Sequence, residues 1–102
     1  MNLDRLRQLE QYAKEDPDDP FPRYALALEW MHSDSKKALE LFAQVLRDHP
    51  DYLPAYYHAG QLTLDAGDSP GAKLILEKGI LLAAATGDPK TKAELSTLLD
   101  GI

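Results

Sequence analysis

The feature that most limits what this chain can fold into is its similarity to itself at a spacing of about 34 residues. Four positions recur in this way, with Ala38, Phe42, Val45 and Pro50 corresponding to Ala72, Leu76, Gly79 and Ala84. Three earlier positions recur one residue closer, with Leu26, Ala27 and Trp30 corresponding to Ala59, Gly60 and Thr63. Such a period is typical of repeat proteins, in which each unit buries its apolar face against a neighbour.

The segment from residue 38 to residue 50 shows what the repeated unit contains. Its apolar residues recur with a helical period, and polar residues fill the opposite side. Ser33, Asp34 and Ser35 supply candidate N-caps before the helix, and Pro50 predicts its end. The equivalent helix is predicted to begin with Ser69 as N-cap and Pro70 as first residue. No segment alternates with the period of a strand beyond four residues.

On these residues the chain resembles the tetratricopeptide repeat (TPR) family, whose unit of about 34 residues is two helices and a turn. The first copy matches the family pattern at Leu26, Ala27, Trp30, Ala38, Phe42 and Pro50. The second copy matches it at Tyr56, Ala59, Gly60, Gly67, Asp68 and Ala72. The departures from the pattern are Arg23, Val45, Thr63, Leu76 and Ala84.

The resemblance implies an all-α fold, a right-handed α-α superhelix of about six antiparallel helices. We expect a single domain over residues 1–102, with two full repeats and flanking half-repeat helices. Its predicted parts are an N-terminal helix at 1–16, repeat one at 20–50, repeat two at 53–86 and a C-terminal capping helix at 88–102. Because about three repeats are usually needed for stability, the flanking helices should be integral to the fold.

Three glycines and a group of leucines predict where helices end and where they contact each other. Gly67 is predicted to take a positive φ at a helix end, and Gly60 to lie where two helices cross closely. Gly79 lies inside a helix, where glycine costs about 1 kcal/mol against alanine, so we expect another helix near its Cα. One hairpin is not expected to cover all of Leu74, Leu81 and Leu82, so the sequence predicts that the last helix covers this face.

Composition limits the partners. The chain carries 17 acidic and 11 basic residues, for a net charge of −6, and it has no cysteine. Nucleic acids and anionic membranes are bound through lysine and arginine, and no basic stripe is present, so neither is expected as a partner. With no leader segment and no apolar run long enough to span a bilayer, we expect a cytoplasmic protein.

No constellation of residues indicates catalysis. His32, His49 and His58 do not have the spacing that places two metal ligands on one helix face. The glycines form no phosphate-binding loop, and no serine lies in a nucleophile elbow. We therefore expect no enzymatic activity, no cofactor and no metal.

The remaining apolar surface predicts a binding site. Tyr24, Leu28 and Met31 share one helix face, and Tyr57, Gln61 and Leu64 are their equivalents. In the TPR family this face lines a concave groove that binds peptides. The family's carboxylate-binding positions correspond to Tyr24, Leu28, His58, Asp88 and Lys92, and only Lys92, with His58 more weakly, has a suitable side chain. The predicted groove comprises Tyr24, Leu28, Met31, Tyr57, His58, Gln61, Leu64 and Lys92.

Three interpretations of this face remain open at the level of the sequence. The first is a non-catalytic interaction module that binds an apolar peptide or helix of another protein. The second is an assembly or scaffold element that pairs with a second copy of itself through the same face. The third is that the face belongs to the core and is covered by the terminal helices.

Overall fold

Six α-helices joined by short turns make up the whole chain in the computed structural model, which describes Met1 to Ile102. The helices are α1 (Leu3–Glu15), α2 (Pro20–Trp30), α3 (Ser35–Asp48), α4 (Pro54–Asp65), α5 (Ser69–Thr86) and α6 (Pro89–Asp100). The predicted all-α fold with six helices is therefore confirmed. The chain forms two compact units, Met1–Pro50 with α1 to α3 and Asp51–Ile102 with α4 to α6.

Aspartates begin most of the helices. The side chain of Asp34 accepts a hydrogen bond from the backbone N–H of Lys37 at 3.1 Å, as an N-cap does. The expectation that Ser69 caps α5 is wrong by one residue. Asp68 is the N-cap, because its carboxylate accepts from the N–H of Gly71 at 2.9 Å. Pro70 therefore lies one residue further into the first turn, where its missing N–H still needs no partner.

Two glycines end helices in the left-handed region. Gly67 has a φ of 89° after α4, as predicted, and Gly87 has a φ of 72° after α5. Only glycine reaches this region without steric cost, so both turns depend on it.

The first unit packs α2 between α1 and α3. Leu6 and Leu9 of α1 join Ala25 and Leu26 of α2 in one buried cluster. On its other side α2 meets α3, whose Phe42 is completely buried. The N-terminal helix is thus part of the core, as expected of a flanking helix.

The second unit packs α5 against both α4 and α6. A Cβ atom added at Gly79 of α5 would lie 2.8 Å from the Cβ of Tyr56 in α4 and 2.9 Å from Cδ1 of Leu95 in α6. One added at Gly60 would lie 2.5 Å from Cδ2 of Leu76. The predicted close approaches at Gly79 and Gly60 are therefore both confirmed.

The expectation that α6 covers the leucine face of α5 is wrong. Leu74 and Leu81 remain 63% and 72% exposed, whereas Leu95 of α6 is completely buried. The reason is angular. Residues in an α-helix are about 100° apart, so Leu74 and Leu81 point away from the side that carries Leu76 and Gly79. The last helix packs on the Gly79 side.

Candidate interaction surface

The first part of the predicted surface lies on α2. This helix buries Ala25, Leu26 and Ala27, which leaves the side with Tyr24 and Leu28 nearer the solvent. The Tyr24 ring meets the buried ring of Phe42 edge-on, with 5.8 Å between the ring centroids. Leu28 is 36% exposed. Tyr24 therefore supports the core of its unit, and Leu28 is the more accessible member of this face.

The second part lies on α4. Tyr57 is 36% exposed and meets the ring of His58 edge-on at 5.7 Å. The amide nitrogen of Gln61 donates to Oδ1 of Asp65 at 2.9 Å, one helical turn later. This hydrogen bond holds the Gln61 side chain along the helix. Gln61 and Leu64 are half-buried, so the face is apolar with one oriented amide.

The charges of the predicted site residues do not favour the binding of a carboxylate group of a ligand. Burial lowers the pKa of His58 below its ordinary value of 6.5, because desolvation disfavours the imidazolium. His58 is therefore a neutral side chain at neutral pH and supplies no positive charge for an anion. This leaves Lys92 as the one cation among the predicted site residues.

Lys92 lies on α6 and lines a shallow depression of about 240 Å³. The depression is formed by the end of α5, the turn that follows it and the start of α6, with Ala83, Ala84, Gly87, Asp88 and Pro89 as the other lining residues. Hydrogen bonds from the backbone and hydroxyl of Thr91 lower the pKa of Asp88. A carboxylate in the same depression opposes the binding of an anion by Lys92.

The structure distributes the predicted residues over its two units. Tyr24, Leu28 and Met31 share α2 of the first unit. Tyr57, His58, Gln61 and Leu64 share α4 of the second, and Lys92 lies on α6. Their assignment to one peptide-binding groove stays a prediction.

The sequence did not predict which large apolar residues are the most exposed. These are Leu74 and Leu81 on α5, which it assigned to contacts with the last helix. Their spacing of seven residues was the available signal, since it places both on one side of a helix.

The structure contains no group of three or more histidine, aspartate or glutamate side chains able to hold a metal ion. None of the six helices combines the length and apolar character required to cross a bilayer.

Successive helical hairpins with small residues at the crossings, and large apolar side chains left partly exposed, define a helical repeat protein. No protein-family model matches the chain, and no curated protein matches it. Solved structures do.

A tetratricopeptide repeat domain protein from Salinibacter ruber, solved by crystallography, is 36% identical with a TM-score of 0.76. The match covers 79% of this chain and 92% of that one. A solution structure of a tetratricopeptide repeat domain protein from the same organism is 38% identical with a TM-score of 0.75, and the match covers 82% of this chain and 86% of that one. The solution structure of a Bordetella parapertussis protein is 25% identical with a TM-score of 0.79, and the match covers 98% of this chain and 86% of that one. This chain belongs to the tetratricopeptide repeat family. It is a helical repeat module for protein interaction. Proteins with this fold are typically non-catalytic scaffolds.

Proposed function

We propose that the chain binds an apolar peptide or helical segment of another protein through the faces of α2 and α4. The observation that supports this most directly is the partial exposure of Leu28 and Tyr57. Each is 36% exposed, and each belongs to the helix face that the family resemblance predicts to line a peptide groove. Large side chains at such positions anchor interfaces because they bury much area with few rotatable bonds.

The chemistry of the faces favours a particular kind of segment. The amide nitrogen of Gln61 is engaged by Asp65, so its carbonyl oxygen is the group expected to accept from a ligand N–H. The chain carries a net charge of −6, which favours a neutral or basic ligand over an acidic one. Met31 adds a flexible side chain that adapts to ligands of different shape. We therefore propose an apolar segment flanked by basic residues.

The experiment is selection from a random peptide library on the immobilised protein, followed by mapping of a selected peptide on the protein by NMR amide shifts. The test variant is Leu28→Ser combined with Tyr57→Ser, because these two side chains are accessible without opening the core. Lys36→Ala with Glu40→Ala on the exposed side of α3 is the matched control. We expect selected peptides rich in apolar and basic residues, with affinity lost in the test variant and kept in the control.

Two results would contradict the proposal. Peptide-induced shifts confined to α3 or α5 would place binding on another surface. Concentration-dependent shifts of Leu28 and Tyr57 without any peptide would show instead that these faces pair with a second copy of the chain.

A further inference from the structure

We infer that Asp65 determines the specificity of the α4 face, because its carboxylate pairs with a basic side chain of the bound segment. The inference rests on the function proposed above and goes beyond it, since it assigns the preference for basic ligands to one residue. It starts from the position of Asp65 as the last residue of α4.

Asp65 continues the row of side chains that forms the predicted binding face of α4. Tyr57, Gln61 and Asp65 are spaced by four residues, so each lies about 40° further round the helix than the one before. Asp65 is exposed, and Oδ1 of its carboxylate accepts the hydrogen bond from Gln61 at 2.9 Å. A partly exposed aromatic ring, an amide and a carboxylate therefore follow one another along the helix.

No cation of the chain neutralises the charge of Asp65. None of the three ion pairs in the structure includes it. Helix α4 contains no lysine or arginine, and Asp65 is its one carboxylate. The carboxylate also lies at the C-terminal end of the helix, where the helix dipole adds partial negative charge. Both charges favour a cation at this place.

Asp48 shows what an aspartate in this position binds when the chain itself supplies the partner. It is the last residue of α3, and its carboxylate accepts hydrogen bonds from Arg23 at 2.7 Å and from Arg47 at 3.3 Å. Asp65 ends α4 without such a partner, on a face with a partly exposed tyrosine. The group that fits it is therefore a guanidinium or ammonium group from another molecule.

The other helix of the proposed site lacks this carboxylate. Tyr24 lies 33 residues before Tyr57, and the residue 33 positions before Asp65 is His32. The pairing with a basic residue is therefore a property of the α4 face, and the α2 face contributes apolar contacts.

The spacing on α4 sets the spacing in the ligand. Tyr57 and Asp65 are eight residues apart, which is about 12 Å along the helix axis. An extended segment that runs along α4 advances about 3.3 Å per residue. Such a ligand carries its apolar residue and its basic residue about four positions apart. The carbonyl oxygen of Gln61 accepts from the ligand backbone between them.

Two selections from the same random peptide library test the assignment, one on the original chain and one on the Asp65→Asn variant. Asparagine keeps an oxygen that accepts from Gln61 and removes only the charge. We expect arginine or lysine about four positions from an apolar residue on the original chain, and no such enrichment on the variant. A peptide selected on the original chain should bind the variant about threefold to fivefold more weakly, the range of a well-placed exposed ion pair.

Charge reversal and a matched control make the test specific. Asp65→Lys should prefer the same peptide with glutamate in place of its basic residue. Glu15→Gln is the control, because Glu15 also ends a helix and accepts a hydrogen bond from a glutamine, Gln11, at 3.1 Å. It removes one negative charge, as Asp65→Asn does, and should leave the affinity unchanged. Both carboxylates are exposed, so circular dichroism should show the same helical content in every variant.

The outcomes separate this inference from the function on which it rests. Equal basic enrichment on the original chain and on Asp65→Asn, with binding still lost in Leu28→Ser with Tyr57→Ser, overturns only the role of Asp65. Equal weakening by Glu15→Gln and Asp65→Asn also overturns it, because net charge would then select the ligand. A library that yields no peptide dependent on Leu28 and Tyr57 overturns both proposals.

Discussion

The guanidinium of Arg23 in α2 donates a hydrogen bond to Oδ2 of Asp48, the last residue of α3, at 2.7 Å. Its second terminal nitrogen donates to the backbone carbonyl of Pro17 at 3.2 Å. Arg23 occupies a position where the family pattern has an aromatic residue. In this chain a polar link between two helices and the preceding turn takes the place of aromatic packing.

The first prediction follows from this link. The guanidinium of Arg23, and after it that of Arg47, hold the pKa of Asp48 below its ordinary value of 3.8. The folded state therefore binds fewer protons than the unfolded state, so this contribution is present above pH 3.8 and is lost as the pH falls through the folded pKa. Arg23→Gln should reduce the loss of stability between about pH 5 and pH 2. Urea unfolding of the original chain and the variant at several pH values measures this change in the free energy of unfolding.

Arg7 offers a matched control for that measurement, because it is an exposed arginine in α1. Arg7→Gln changes the net charge by the same amount and should leave the acid dependence as it is. Equal effects of the two substitutions would mean that net charge, and not the Arg23–Asp48 pair, governs the response to acid.

The second prediction concerns His58. Its pKa is lowered by burial, so the unfolded state takes up a proton at a higher pH than the folded state does. Stability should therefore decline as the pH falls below about 6.5, before the aspartates begin to titrate. His58→Gln should flatten this part of the curve in thermal unfolding at pH 7.5 and 5.5. His32→Gln, at an exposed position after α2, should not. An unchanged slope in the His58 variant would contradict the assignment.

The third prediction concerns Gly79, which has helices on two sides. Gly79→Ala gains about 1 kcal/mol in helix propensity. The added methyl, however, meets the Cβ of Tyr56, which the α4 backbone holds in place. Overpacking of this kind costs about 1–3 kcal/mol, so we expect a net loss of stability in urea unfolding. Gly101→Ala, whose new Cβ would lie 3.5 Å from the nearest atom, should be neutral within about 0.5 kcal/mol. A stabilised Gly79→Ala variant would show that the helices separate easily.

The fourth prediction separates buried from exposed leucines. Leu95 is completely buried, and Leu95→Ala should destabilise the fold by about 2–5 kcal/mol through lost burial and the cavity it leaves. Leu74, by contrast, is 63% exposed, so Leu74→Ala should change stability by less than about 0.5 kcal/mol. Thermal unfolding of the two variants gives the comparison. Similar losses in both would mean that α6 does not bury Leu95 as described.

The sequence predicts the helices of this fold because the signals that define a helix lie close together in the sequence. Hydrophobic period, prolines and capping residues act within one or two helical turns, and they were sufficient for six helices and their approximate ends. Asp68 in place of Ser69 as a cap shows the limit. Both side chains are good caps, and the choice between adjacent residues depends on backbone geometry that a pattern does not contain.

The candidate site was predicted less completely than the fold. The helical period placed Tyr24 and Leu28 on one face, but it did not show that Tyr24 leans on Phe42 while Leu28 stays accessible. The same limit applies to His58. Its residue type suggests a cation that could bind a carboxylate, whereas its burial lowers the pKa and leaves the side chain neutral. Burial and pKa depend on neighbours that are distant in the sequence, so only the structure supplies them.

The sequence by itself determined that this chain is a helical repeat, because a period of about 34 residues and the small residues within it are linear properties. It also predicted a close approach of another helix at Gly79, since such an approach compensates for the cost of glycine inside a helix. Only the tertiary structure decided which side of α5 the last helix covers. The sequence contains two apolar sides of that helix, and the contacts of Gly79 with Tyr56 and Leu95 determine which is buried. Leu74 and Leu81 are left exposed for that reason.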